Sequence, residues 1–234
     1  MTDATSTTRM TEMTQTTEMT DMLSTLRAIP GLRRAWPGNR DSRTASVSIE
    51  CVDGQGRLRA GHVAVGSTPD LLPYAGDPAL PALSTQLTGA LVVHRASRRA
   101  VVMEASRVRK IVRPHKAASL VRAHTTAASV LRVTGLRTPR ILGNGDDVVD
   151  LELLPGRSLD ELGDDGLPGW QRLRESWSRL DDGEADLPLH GTRQEAEVLQ
   201  RWLASAQRYG VIDQQDVLHE QVVDTCLSLR EGSG

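Results

Sequence analysis

Phenylalanine is absent, and four Trp and two Tyr are the whole aromatic complement of the 234 residues. A core must therefore be built from aliphatic side chains, and the basic stretch 95–140 has no interleaved rings on which single-stranded nucleic acid could stack. Lysine is nearly absent too. Of 28 basic residues only Lys110 and Lys116 are lysines, and with abundant Ala, Gly and Arg this suggests a GC-rich coding sequence. Against that background a retained lysine is a candidate for a role that arginine does not fill. The two cysteines, Cys51 and Cys226, lie far apart without a CxxC spacing, which leaves no zinc or redox motif. They read as buried free thiols of a reducing, cytoplasmic compartment. No apolar run approaches the roughly 20 residues of a membrane span, and the N-terminus has no apolar secretory region. The six histidines form no HExxH, and neither a GxSxG elbow nor a Walker P-loop occurs. A net charge of −2 gives no whole-chain drive toward nucleic acid or membrane.

What is present is ordered along the chain. Residues 1–21 are repetitive and Thr/Met-rich, and they read as a disordered tail. Patterned sequence starts at about Met22. From Ser46 the period is two, with Val47, Ile49 and Cys51 alternating with polar residues. A turn at Asp53–Gly56 leads to a second strand, Arg57–Val65. After a loop from Pro69 to Pro81, a short helix is expected at Ala82–Leu87. A second hairpin follows, Leu91–His94 and Ala100–Glu104, and then a strand at Val108–Val112. The period then changes, and Lys116–Val133 predicts an amphipathic helix ended by Gly135. Pro139–Leu142 and Val148–Leu154 read as strands around Gly143-Asn144-Gly145-Asp146. Beyond Pro155-Gly156 the pattern is helical, with capping-box spacing at Ser158 and Glu161 and helices at Gly169–Leu180, Arg193–Tyr209 and Asp213–Leu229. Trp170 and Trp177, two helical turns apart, read as core anchors or a lobe contact. The fold class is α+β: an antiparallel sheet carrying one helix, followed by a helical lobe.

Charge divides the same way. Leu91–Leu142 holds twelve Lys/Arg against one acid, Glu104, whereas Asp146–Asp186 holds thirteen acids against four Arg. Such a pair suits a phosphorylated ligand on one side and a metal or cationic ligand on the other; equally, it describes two solvated faces that attract one another.

Two segments carry candidate chemistry. In Arg107–Arg113, Val108, Lys110 and Val112 share one strand face. Either that face is solvated, or the Lys110 ammonium meets an anion such as phosphate. Glu152-Leu153-Leu154-Pro155-Gly156 leaves the last strand through a turn, a crossover whose backbone N–H and C=O groups can hydrogen-bond a flat heterocycle.

The ordered set resembles the aminoglycoside phosphotransferase and choline kinase-like superfamily, small-molecule kinases with a protein-kinase-like fold. It comprises a strand with Lys110, a helix, Thr138-Pro139-Arg140-Ile141-Leu142, and Leu151–Leu159. The likeness is clearest over 105–163 and extends from about Met22 to Tyr209. It implies a kinase-like N-lobe over 22–154, then a hinge and partial helical C-lobe over 155–234. It also implies that Lys110 contacts nucleotide phosphates and that the backbone of Glu152, Leu153 and Leu154 meets adenine.

The sequence departs from the family pattern in two places. The helix after the lysine strand carries no acid between Lys116 and Thr138, and its equivalent turn holds His124, which reads as a surface histidine. The family's His-x-Asp catalytic loop is also missing. The nearest candidate is Asp216 with Gln221, where Gln214 replaces the His, and no metal-binding Asp follows. The resulting expectation is a small-molecule phosphotransferase chain, truncated or degenerate, that holds ATP weakly. It would use Mg2+ only if a missing segment supplied the ligands, and full-length relatives would act on a hydroxyl-bearing small molecule. No nucleic-acid or membrane partner is expected. The alternative is a non-catalytic interaction protein that uses the acidic helical region.

Overall fold

The structure is a computed structural model that describes residues 22–37, 46–179, 191–209 and 217–231. The tail 1–21 lies outside the described residues, as does Asp216. The chain opens with a helical turn at 22–27 (α1). Strands β1 (Leu32–Pro37), β2 (Ser46–Val52), β3 (Leu58–Ala64) and β4 (Asp70–Leu71) follow, then α2 (Ala82–Thr85). Next come β5 (Ala90–Arg95), β6 (Arg99–Met103), β7 (Arg107–Val112), α3 (Ala117–Leu131), β8 (Ile141–Asn144) and β9 (Val148–Glu152). The remainder is α4 (Leu159–Leu162), α5 (Leu167–Trp177), α6 (Thr192–Arg208) and α7 (Val217–Glu231). The fold is α+β as expected, but its strands form two sheets and not one. Their orders are β1-β2-β3-β4 and β5-β6-β7-β9-β8, with antiparallel pairing. No helix among the described residues is long and apolar enough to cross a membrane.

By contact the chain groups into two compact units. Of the described residues, one holds 22–37, 46–55, 61–71, 191–209 and 217–231, and the other holds 56–60 and 72–179.

In the first unit, Met22, Ile29, Val47, Ile49, Cys51 and Val63 form a buried aliphatic and thioether core. Leu26, Leu32, Val65, Leu71 and Tyr209 pack against it. Strand β1 is absent from the pattern-based reading because Leu32-Arg33-Arg34-Ala35-Trp36-Pro37 does not alternate. It is an edge strand that ends on a proline, where a missing N–H costs no ladder bond. Its presence makes β2 an interior strand, so the polar positions Ser48 and Glu50 are buried along with the apolar ones. Glu50 accepts a hydrogen bond from Arg34 Nη1 at 2.9 Å across the β1–β2 pair. Helices α6 and α7 are tied by the Cys226 thiol on the Ala196 carbonyl and by Gln207 Nε2 on His219 Nδ1 at 2.9 Å.

In the second unit, α3 lies on the β7–β9–β8 side of the five-stranded sheet. Ala117, Val149 and Leu151 are buried there against Val112, Leu120, Val121 and Ile141. The helix ends through a 3-10 turn, Arg132–Thr134, at Gly135, whose φ of 74° is the left-handed cap expected of a glycine. Its buried or half-buried positions are 117, 120, 121, 124, 128, 130 and 131, while Ala123 and Ala127 are exposed. His124, expected on the helix surface, is half-buried along with these positions. The capping box also forms: Ser158 Oγ accepts from Glu161 N–H, and Glu161 Oε2 accepts from Ser158 N–H. Trp170 and Trp177 are 52% and 60% exposed, so α5 anchors no core through them.

Met22, the first described residue, is 1% exposed and belongs to the core of the first unit. A chain beginning at Met22 should melt within a few degrees of the full chain. Met22→Ala should lower the unfolding free energy by about 2–4 kcal/mol, read by denaturant titration.

Candidate functional site

Strand β7 is central in its sheet and pairs with β6 on one side and β9 on the other. Because strand side chains alternate, it has two different faces. Lys110 stands opposite Val101 of β6 and Val149 of β9; Val108 stands opposite Met103 and Leu151; Val112 stands opposite Arg99. Val149, Leu151 and Val112 belong to the cluster under α3. Lys110 is therefore on the α3 face of the sheet, at the line where helix cover gives way to β6 and β5. A ligand near its ammonium would lie on the same side as the helix. The side that α3 leaves free would be the expected location if the lysine faced away from the helix, and the register excludes that.

Among the described residues the Lys110 side chain makes no hydrogen bond or ion pair. His124 on α3 is engaged elsewhere: its Nε2 lies 2.7 Å from the Pro139 carbonyl oxygen and ties α3 to the approach to β8. Lys110 thus remains a half-buried ammonium on a sheet face, in a row with Val101 and Val149.

The opposite face of β7 is where a charge is buried and fully paired. Arg109, whose side chain is 7% exposed, stands opposite Asp150 of β9 and holds it with two parallel bonds, Nε to Oδ1 at 2.7 Å and Nη2 to Oδ2 at 3.0 Å. Its Nη1 donates to Gln86 Oε1 at 3.0 Å, and Glu104 lies within ion-pair range at 3.5 Å. The Arg109 guanidinium holds the Asp150 carboxyl below its ordinary value, and Asp150 in turn raises Arg109. Nothing in the sequence couples residues 41 positions apart, so this pair was not legible there.

Glu152 ends β9 as the first residue of the expected hinge. Its carboxylate accepts from the Arg140 backbone N–H at 3.2 Å, from Arg140 Nε at 3.3 Å and from Arg137 Nη2. The Arg140 backbone bond is the largest influence holding it below the ordinary glutamate range. The side chain thus fixes β8 to β9 and leaves only backbone for a ligand. Leu153 N–H is taken by the Ser106 carbonyl at 3.3 Å, whereas Leu154 N–H makes no hydrogen bond among the described residues. Lys110 and Glu152 lie on adjacent strands, offset by three residues, which is about 10 Å along the sheet. Asp216 is outside the described residues, and the structure brings nothing to it. Among the described residues no three of His, Cys, Asp and Glu gather to hold a metal ion.

A second buried polar cluster sits behind the β5–β6 turn. Asp77 accepts from His94 Nε2 at 3.1 Å and from the backbone N–H groups of Ser97 at 2.8 Å and Ala79 at 3.0 Å. Ser97 offers its backbone and not its hydroxyl, so these three residues are not a hydrolytic triad. Burial by itself would raise the Asp77 pKa; the three hydrogen bonds outweigh it and leave the carboxyl below its ordinary value.

The α3 face of β5, β6 and β7 is graded. Met103, Val108 and Val101 lie toward the Glu152 end, Lys110 is in the middle, and Arg99 and Arg95 are at the hairpin end. Met103 is 43% exposed, Arg99 is exposed, and the others are half-buried. No aromatic residue occurs between Tyr74 and Trp170, so this surface is aliphatic, thioether and cationic only.

No protein-family model matches the chain, and neither a curated protein nor a solved structure matches it.

Asp150→Ala should cost about 3–5 kcal/mol because it strands a buried guanidinium. Lys110→Ala should change stability by less than about 1 kcal/mol. Denaturant unfolding of the two variants separates a structural charge from one available to a ligand. The pH profile has a definite sign. Asp77 and Asp150 are depressed in the fold, so their stabilisation is complete above about pH 4 and is lost as the pH falls through their folded values. The melting temperature should drop below pH 4, and less steeply in Asp150→Asn.

Proposed function

We propose that this chain carries the nucleotide-binding lobe of a kinase-like small-molecule phosphotransferase, with adenine at the Glu152–Leu154 backbone and phosphates at Lys110. The graded α3 face carries the reading: an apolar end beside the hinge strand runs into an ammonium with no partner among the described residues. The topology supports it as well. The lysine strand pairs directly with the hinge strand, and the helix between them in sequence packs on the face that bears the lysine. ATP is the cofactor in this reading, with Leu154 N–H as the donor available to the base. Affinity is low because no acid on α3 holds the ammonium in place. Phosphoryl transfer to a hydroxyl-bearing acceptor requires a base and magnesium ligands, and Asp216 is the candidate base.

Calorimetric titration tests the reading. Lys110→Ala should weaken ATP about ten-fold and adenosine less than two-fold, since the ammonium meets phosphate and not the base. No ATP binding at millimolar concentration, or equal losses for both ligands, would reject the nucleotide site. The interaction-protein reading would then stand in its place. One observation favours that second reading: α5 buries none of its residues and displays Trp170 and Trp177 two turns apart.

A further inference from the structure

Helix α5 carries two stripes of side chains, and only one of them is packed. Gly169, Leu173 and Ser176 are half-buried and form the inner stripe. Gly169 lies so close to Leu159 of α4 that a Cβ there would stand 2.4 Å from Leu159 Cδ2. That contact sets the rotation of the helix, because rolling it would bring a larger side chain against Leu159. At about 100° per residue, Leu167, Trp170, Arg174 and Trp177 share an arc of about 80°, centred roughly 110° from the inner stripe. Leu167 is 57% exposed, comparable to the two tryptophans.

The charges of this segment are as little engaged as its rings. Among the described residues the side chains of Asp165, Arg174 and Arg179 make no hydrogen bond or ion pair, and no cation lies over Trp170 or Trp177. The sheet differs: Arg107, Arg109, Arg137 and Arg140 are all paired with carboxylates. Glu161, Asp164 and Asp165 precede α5, whereas Arg172, Arg174 and Arg179 outnumber Glu175 over its second half and end. A surface that is negative at one end, positive at the other and aromatic between them is complementary to itself reversed.

We propose that α5 is a dimerisation helix, which docks antiparallel on α5 of a second copy of this chain about a two-fold axis beside residue 172. Three matches fall in that one register. Five residues either side of the axis, Leu167 meets the second copy's Trp177. Two residues either side, Trp170 meets the second copy's Arg174 in a cation–π contact. Seven residues either side, Asp165 meets the second copy's Arg179. The symmetry makes each match twice, since an isologous contact uses the same patch on both subunits. Arg172 itself lies half a turn from the aromatic stripe, so like charges do not meet on the axis. The patch is small, below the roughly 1,200 Å2 of a standard complex, so the dimer is weak and exchanging, with a Kd expected at about 10–100 µM. The inference is independent of the nucleotide reading, whose residues lie on the sheet.

Sedimentation equilibrium of the full chain over about 1–200 µM, at low salt, tests it. Wild type should pass from its monomer mass of 25.5 kDa toward twice that value across this range. Trp170→Ala and Trp177→Ala should each weaken association at least about ten-fold, while Trp202→Ala, on α6, should leave it unchanged. Asp165→Arg and Arg179→Asp should each weaken it several-fold, because each sets like charges face to face. An equimolar mixture of these two charge variants should recover the wild-type Kd, since each then meets its opposite in the other chain. All five positions are exposed, so the variants should keep the fold, checked by circular dichroism. A chain that stays monomeric at 200 µM overturns the proposal. So does a dimer that tolerates both Trp170→Ala and Trp177→Ala, which would pair through another surface. Charge variants that associate as wild type, or whose mixture fails to recover, overturn the antiparallel register on which the proposal rests.

Discussion

The pairing of β7 with β9 decides the character of the second unit. Its register sets Arg109 opposite Asp150 and, one residue on, Lys110 opposite Val149. Alternation then sends the two neighbouring cations to opposite faces. One face receives a guanidinium that is buried, forked onto a carboxylate and surrounded by further acceptors. The other receives an ammonium among valines. A slip of one residue would exchange them, burying an unpaired lysine and exposing the Arg–Asp fork, and both changes are costly. The salt pair therefore does more than stabilise. It is a register lock, and the availability of Lys110 is a by-product of how firmly Arg109 is satisfied.

Much of the architecture was legible because it rests on local rules. The switch of period at Lys116, the Gly135 cap, the Gly143–Asp146 turn and the Ser158/Glu161 capping box all produced the expected elements, with boundaries moved by a few residues. Strand β1 was not legible, since an edge strand with two adjacent arginines has no alternation to read. The partition of the strands into two sheets was not legible either, because hairpin signals specify neighbours and not how successive hairpins combine.

The site divides along the same line. That Val108, Lys110 and Val112 share a face follows from period two, but which face α3 would cover does not. It depends on Val149 and Leu151 meeting Leu120 and Val121, contacts between segments far apart in sequence. His124 shows the same limit. One position on a helical wheel separates a solvated histidine from one that clasps the Pro139 carbonyl, and composition alone gives no way to choose.

The aromatic-free interval from Tyr74 to Trp170 spans the entire five-stranded sheet, and three of the four tryptophans, Trp170, Trp177 and Trp202, sit exposed on helices α5 and α6. The sheet is consequently silent in ultraviolet emission. Intrinsic fluorescence follows the helical segments and β1, and it can report a finished transition while the sheet is still intact. A base resting on the α3 face would quench nothing within that sheet. The same emptiness has a constructive side: a single tryptophan placed at Met103 would be the sheet's only emitter, free of background from its own strands.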